Sequence, residues 1–376
     1  MDEHAVTPLE LFFDLVFVFA ITQVTALLLT DPTWHGVGRA ILVLAAVWWS
    51  WTGYAWFTSA LDVDEGGVRI VMLAATLTLG GLALSVPGAF GEHAVLFGVS
   101  FLLFRVFHLV LYASIGRHDA EQFRALLRLV PSELTGAVLI LAAAFVHGDV
   151  RVAVWVVALA IDYVGPAVIE LRGWHIAPAH FAERHGLVIL IALGESIIAI
   201  GVGAGFEFTT GVLVAGALGF TVVAALWWLY FDVAAILARR RLVQLHGAKQ
   251  AQLARDAYSY LHLPLVGGIV FFAFGLETTL HHIHRTLDAV PAIALCGGVA
   301  LYLLGHVAFL RRTTGRIFRR RTLGVVLSLA LIPAALTLPA MAALALLAGV
   351  CVFVVAYEAI RHRTHRMEVR HPELVS

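Results

Sequence analysis

Apolar runs of the length that crosses a bilayer recur from one end of this chain to the other, which leaves it few ways to fold. A helix needs about 20 residues to cover the hydrocarbon core. The first such run, Pro8 to Leu29 (PLELFFDLVFVFAITQVTALLL), is long enough, yet it carries Glu10 and Asp14 four residues apart on one helical face. Asp14 falls in the first third of the span beside Phe12 and Phe13, where an ionised carboxylate is costly unless it has a partner. Only 13% of the 376 residues are charged, against about 25% in an ordinary soluble domain. The chain therefore reads as an all-α polytopic membrane protein. Its start is acidic (Asp2, Glu3) and lacks the basic segment of a cleaved signal peptide. Cys296 and Cys351 both lie in apolar runs, without metal-ligand spacing, and read as small core residues.

The hydropathy pattern predicts twelve spans, at roughly 8–30, 37–60, 68–87, 94–114, 131–147, 151–170, 185–203, 211–236, 258–280, 290–310, 323–338 and 340–360. Pro339 and the lack of a polar linker leave the last two as a tight hairpin or one bent unit. Eleven spans would put the two termini on opposite sides. The basic residues decide. With the N-terminus inside, the cytoplasmic segments collect Arg69; Arg117, Arg124 and Arg128; Arg172 and Arg184; Arg239, Arg240, Arg241, Lys249 and Arg255; Arg311, Arg312, Arg316, Arg319, Arg320 and Arg321; and Arg361, Arg363, Arg366 and Arg370, 21 in all. The outside loops hold only 3, Arg39, Arg151 and Arg285, and the remaining one, Arg105, lies inside a predicted span. A bias this strong predicts cytoplasmic termini and twelve spans.

The pattern also predicts an internal repeat. Glu10 to Leu29 resembles Glu183 to Val202 (ERHGLVILIALGESIIAIGV), with Thr22-Gln23 against Glu195-Ser196 in the second half of each. The second span of each half has a Trp pair, Trp48-Trp49 and Trp227-Trp228. The fourth has a histidine, His108 and His306, and the sixth ends in Asp162-Tyr163 and Tyr357-Glu358. Four matches in one order predict two six-helix halves in the same orientation, related by an axis along the membrane normal. Their expected bounds are 1–172 and 179–365, with a linker at 173–178 and a cytoplasmic tail at 366–376.

Polar residues inside the spans are the candidate sites. Arg105 (LLFRVFHLVLY) needs a carboxylate or a wet cavity, and His108 lies on its face. The expectation is that Asp14 pairs with Arg105, either to lock the first helix to the fourth or to form a gate or substrate contact. Asp162 falls in the same half of the membrane. Glu195 (ALGESIIAIG) is near mid-span, and Ala192, Gly194, Ser196 and Ala199 around it admit another backbone. Its two readings are a functional carboxylate or a protonated one bonded to a neighbouring helix. His180, Glu183 and His185 (HFAERHG) mark the entry to the seventh span, as a capping cluster or a proton-accepting mouth rather than a metal site, since HExxH is absent. Asp232 and His262 lie in the cytoplasmic halves of their spans. Glu277 precedes His281, His282 and His284, a solvated loop or a metal site on the outer face. No cofactor is predicted; a bis-histidine haem on His108 and His306 is the alternative. The arginines from Arg311 to Arg321 point to anionic lipid, not nucleic acid.

VTPLELFFDLVFVFAITQV, the Trp-rich second span and HFAERHGLVILIALGESIIAIG together resemble the bacterial low temperature requirement A (LtrA) family over nearly the whole chain. That resemblance implies a multi-pass bacterial membrane protein. It supplies no substrate and no catalytic residues, because the family name records a growth phenotype. ELFFDLVFVFAIT is also similar to the first-helix signature of a family of non-classical potassium channels with six-helix repeats, although the Arg is missing and Phe13 replaces the Ser. No TVGYG filter is present. The reading is an inner-membrane transporter or channel-like protein for a small solute or ion, with proton coupling. Its pathway would run between the halves and be lined by Asp14, Arg105, His108, Asp162 and Glu195, with Glu10, Gln23, Glu183, His185, Asp232, His262 and His306 in support. The alternatives are an intramembrane enzyme or redox protein and a structural, lipid-interacting protein; an oligomer is compatible with each.

Overall fold

A computed structural model describes residues 6–60, 66–115, 119–205 and 209–361 of the chain. Among these residues there is no strand. Eleven helices are long and apolar enough to cross a membrane, or twelve if the bent pair Ala120–Leu127 and Val130–Ala143, which meet at 43°, counts as one span. The tail expected at 366–376, and Arg117, Arg363, Arg366, Arg370 and the Arg361 side chain, lie outside the described residues.

Local sequence sets the helix ends. α1 (Pro8–Thr30) opens with a capping box: the Glu10 amide donates to Thr7 Oγ1 at 3.3 Å, and the Thr7 amide donates to Glu10 Oε2 at 2.9 Å. Pro8, which has no N–H to satisfy, takes the first helical position. α2 (Trp34–Thr58) and α3 (Gly66–Ser85) follow, the latter ending in a short 3-10 turn at Val86–Gly88. Then come α4 (Ala94–Ile115), α5 (Ala120–Leu127), α6 (Val130–Ala143) and α7 (Gly148–Val168). Asp119 caps α5 through the amides of Glu121 and Gln122, which hold its carboxyl below the usual carboxylate range.

α8 (Pro178–Ala204) is longer than the predicted seventh span, because its apolar stretch is preceded by two polar helical turns. α9 (Thr210–Leu229) continues through a π-helical segment, Tyr230–Ala234, into α10 (Ala235–Gln244). α11 (Gly247–Leu253) passes through a second π segment, Ala254–Tyr260, into α12 (Leu263–His281). α13 (Ala289–Thr314) ends at Gly315, whose φ of 74° is the left-handed conformation that closes a helix. α14 (Arg319–Ala330), α15 (Ile332–Thr337) and α16 (Ala340–Arg361) complete the chain. Arg319–Thr337 and Ala340–Ile360 are separate spans, broken at Pro339 and packed side by side as a hairpin.

The chain divides into two compact units. One contains residues 1–184 and 245–254, the other 185–244 and 255–376. Within the first, α1 packs on α2 and α3, α3 on α4, α4 on α6, and α6 on α7, while α2 touches α4 and α7. Arg151, expected in an outside loop, is buried in the first turn of α7. There it donates to the carbonyls that end α6, at Ala143 (3.1 Å) and Val146 (2.8 Å), and to Phe90. Carbonyls at and just beyond a helix C-terminus lack the amide of a following helical turn, so a guanidinium with five donors is well matched to them.

Within the second unit, α12 and α13 are in backbone contact. A Cβ on Gly268 would stand 2.6 Å from the Gly298 carbonyl oxygen, one on Gly298 2.5 Å from the Phe272 amide, and one on Gly275 2.6 Å from the Leu295 amide. Small residues let helices approach this way in lipid, where dispersion and not water drives association. Large apolar side chains such as Leu15, Leu77 and Phe220 are exposed, as faces turned to lipid require. Gly298→Ala should therefore lower stability by about 1–3 kcal/mol through overpacking. Gly349→Ala, whose Cβ meets nothing within 4 Å, should leave the thermal midpoint of detergent-solubilised protein unchanged or slightly raised. Equal midpoints for the two variants would contradict the close packing of α12 on α13.

Candidate functional site

The first unit holds two networks of buried ionisable groups. The first joins α1 to α8. Glu10 and Asp14 present their carboxylates one helical turn apart, and His180 and Arg184 have the same four-residue spacing on α8. Arg184 donates to Glu10 Oε1 at 2.8 Å, to Asp14 Oδ1 at 2.5 Å and to the Thr58 hydroxyl at 2.7 Å. His180 Nε2 lies 3.1 Å from Glu10 Oε2. The Trp51 indole N–H donates to Asp14 Oδ1 at 2.8 Å, and its ring lies under the Arg184 guanidinium. Arg184 and Asp14 are fully buried.

The second network joins α4, α6 and α7. Arg105 donates to Asp162 Oδ2 at 2.7 Å, and His108 Nδ1 lies 3.1 Å from Glu133 Oε2. All four side chains are buried. Two glycines make the room. A Cβ on Gly53 of α2 would stand 2.8 Å from the His108 ring, and one on Gly136 of α6 would stand 2.9 Å from the Asp162 carboxylate. Tyr54 packs on His108, with centroids 5.1 Å apart, and donates to the Phe104 carbonyl at 2.7 Å. Phe13, beside Asp14, packs on both Tyr54 and Phe104. α2 thus serves both networks, through Trp51 and Thr58 to one and through Gly53 and Tyr54 to the other.

These contacts correct the expected Asp14–Arg105 pair. Asp14 is held by Arg184 and Arg105 by Asp162. The reason is that α8 starts at Pro178, so Arg184 is a buried helical residue and not a loop cation, and it supplies the charge that Asp14 lacks. Sequence reasoning also missed Glu133 and Thr58. The matching four-residue spacings of Glu10/Asp14 and His180/Arg184 were the available signal. Glu183 is exposed, as its position one residue before Arg184 on the helix requires, and Gln23 is half-buried in α1.

Charge counting shows what the two networks can do. Glu10, Asp14, Glu133 and Asp162 face Arg105 and Arg184, so four carboxylates share two guanidiniums, and His108 and His180 each lie within hydrogen-bond reach of one carboxylate. Asp14 Oδ2, Asp162 Oδ1, His108 Nε2 and His180 Nδ1 are buried and have no hydrogen-bond partner among the described residues.

In the second unit, Glu195 and Glu277 are both buried. The close backbone approach expected around Gly194 occurs instead at Gly203, where a Cβ would stand 3.0 Å from the Glu277 carbonyl oxygen; beside Gly194 nothing lies within 4 Å. Arg321 makes a two-point pair with Glu358, 3.0 Å at each contact, and also meets His306. His262 lies 3.1 Å from the Ala257 carbonyl oxygen through Nδ1, so Nδ1 carries the hydrogen and Nε2 accepts from the Tyr230 hydroxyl at 2.8 Å. The His185 ring packs on His262 and on Tyr258. Asp232 is half-buried in the first π segment. His281, His282 and His284 are exposed. Among the described residues no group of three or more His, Cys, Asp or Glu side chains is gathered as for a metal ion. His108 and His306 each have an ionisable partner, Glu133 and Arg321.

Removing a buried partner leaves its counter-ions unpaired, a loss of about 3–5 kcal/mol. Arg184→Gln should therefore be strongly destabilised, while Glu183→Gln, next to it but exposed, should stay within about 0.5 kcal/mol of the parent. Adding Glu10→Gln and Asp14→Asn to Arg184→Gln should recover much of the loss. Thermal melts of the three variants give the ordering, and an Arg184→Gln variant as stable as the parent would refute the pairing.

A family model described as Bacterial low temperature requirement A protein (LtrA) matches residues 5–356. The chain is also similar to a protein of Rhizobium meliloti (strain 1021) named Uncharacterized protein RA0937. The two are 31% identical, over 94% of this chain and 89% of the relative. No solved structure matches the chain.

Proposed function

The chain belongs to the bacterial low temperature requirement A family, and from that premise we propose that it is an inner-membrane carrier or channel-like protein that moves a small solute or ion with proton coupling. The observation that carries the reading is the pair of buried networks in the first unit, which combine four carboxylates with two guanidiniums and two imidazoles inside membrane-spanning helices. Ionisable residues at such depth are costly, and they commonly mark ion or proton pathways. Purely structural ion pairs would be balanced by fixed charges. Here the balance depends on two protons, and each network contains an imidazole, the side chain best suited to exchange one near neutral pH.

The positive-inside bias supports cytoplasmic termini. The two-halves reading is supported by side-chain roles that recur at matched positions. The fourth-span histidines His108 and His306 each meet a charged group on the following span, Glu133 and Arg321. The sixth-span carboxylates Asp162 and Glu358 each hold an arginine.

Purified protein in proteoliposomes tests the reading, with proton and potassium flux measured separately. The parent should dissipate an imposed gradient, and Asp14→Asn and Glu133→Gln should each abolish that flux in a variant that remains folded. Flux that survives both substitutions would make the networks structural. Absence of both fluxes in the parent would reject ion conduction and leave a solute carrier to be tested with what co-purifies.

A further inference from the structure

Beyond the two networks, the second unit contains a cavity of about 320 Å³. Trp228, Asp232 and Val233 form one wall, the run Arg316 to Arg321 forms another, and Glu358 of α16 closes it. Asp232 and Val233 belong to the π-helical segment Tyr230–Ala234. Such segments widen a helix by one residue per turn and occur frequently at functional sites.

The charges of the lining are unequal. Arg316, Arg319, Arg320 and Arg321 face Asp232 and Glu358, so two positive charges are in excess. Arg321 is committed to Glu358 and His306. The Arg320 guanidinium lies 4.6 Å from the centroid of the Tyr357 ring. Arg316 and Arg319 are exposed, and neither side chain has an ion-pair partner among the described residues. Guanidiniums bind phosphate oxygens in two-point contacts. The rest of the lining is not what a simple anion needs: the Trp228 indole, Ile317 and Phe318 offer apolar surface beside the arginines. Trp and Arg side by side are the side chains that meet lipid headgroups at the membrane interface.

We propose that this cavity is a binding site for a phosphate-bearing anion, and that its source is the phosphoglycerol headgroup of an anionic phospholipid. Arg316 and Arg319 take the phosphate, Arg320 and Arg321 are held by Tyr357 and Glu358 as fixed walls, and Trp228 with Ile317 and Phe318 packs on the glycerol and the first acyl carbons.

The test uses the full-length chain in phosphatidylcholine nanodiscs, with and without phosphatidylglycerol, then released and examined by native mass spectrometry. The parent should retain phosphatidylglycerol in preference to phosphatidylcholine. Arg316→Gln/Arg319→Gln should weaken that retention by about tenfold to thirtyfold, at roughly 1 kcal/mol per arginine. Neither side chain is buried or paired, so the variant should fold. Arg311→Gln/Lys249→Gln removes the same charge from exposed positions outside the cavity and should leave retention unchanged. Equal weakening by both pairs would reduce the effect to general attraction and overturn the site. Inorganic phosphate, added in a separate arm, distinguishes the sources. Stabilisation by phosphate that the Arg316→Gln/Arg319→Gln pair removes, with no phosphatidylglycerol retained, would keep the anion site and overturn the lipid. No retention and no stabilisation would overturn both.

Discussion

A guanidinium inside a bilayer has to be matched to carboxylates, and the first unit is arranged around that demand. Arg184 and His180 rise from one face of α8 with the same spacing as Glu10 and Asp14 on α1, so two helices distant in sequence meet as complementary charged ladders. Each further contact follows from dehydration. With no water available, Arg184 takes the Thr58 hydroxyl as well as the two carboxylates, and Asp14 accepts from an indole. The apolar composition of the spans makes these few polar contacts decisive, because an error in helix register would strand a charge in hydrocarbon.

Glycine has two distinct uses here. In the first unit it makes space for charge: Gly53 lies under the His108 ring and Gly136 beside the Asp162 carboxylate, so the second network occupies volume that two methyl groups would fill. In the second unit it brings backbones together, at Gly268, Gly275 and Gly298 of α12 and α13. Each unit also joins an arginine to a carboxylate on another helix: Arg105 of α4 meets Asp162 of α7, and Arg321 of α14 meets Glu358 of α16.

Much of the architecture was legible from hydropathy, since twenty-residue apolar runs have one common outcome in a membrane. Eleven of the twelve predicted spans fall on helices of span length, the fifth, 131–147, reaches it only if α5 and α6 count as one bent span, and the short break at Pro339 separates two real helices. The pairing was less legible. Asp14, Arg105, His108 and Asp162 were recognisable because a charge inside an apolar run is conspicuous. Arg184 was not, because it lies among His180, Glu183 and His185, a polar stretch that reads as a loop. Helix propensity says nothing there about the tertiary contact that buries it. Arg151 failed for the same reason: a cation at a span end looks solvated until the carbonyls ending α6 are found around it. The π segments had no visible signal, since one extra residue in a turn leaves hydropathy unchanged.

The proton coupling proposed for the networks rests on electroneutrality more than on any single residue. Two arginines keep their charge at every accessible pH, so the fixed part of the ledger is two positive charges against four carboxylates. The remainder is set by protons on imidazole or carboxyl groups. In a low-dielectric interior the loss of one such proton leaves a net negative charge whose interaction with its neighbours is far stronger than in water. That charge is relieved by taking up a proton again or by admitting a cation. In the proposed carrier, a site that can be neutral in two ways, protonated or cation-bound, would couple the two species without a dedicated coupling device, and the same arithmetic would fail if every carboxylate had its own arginine.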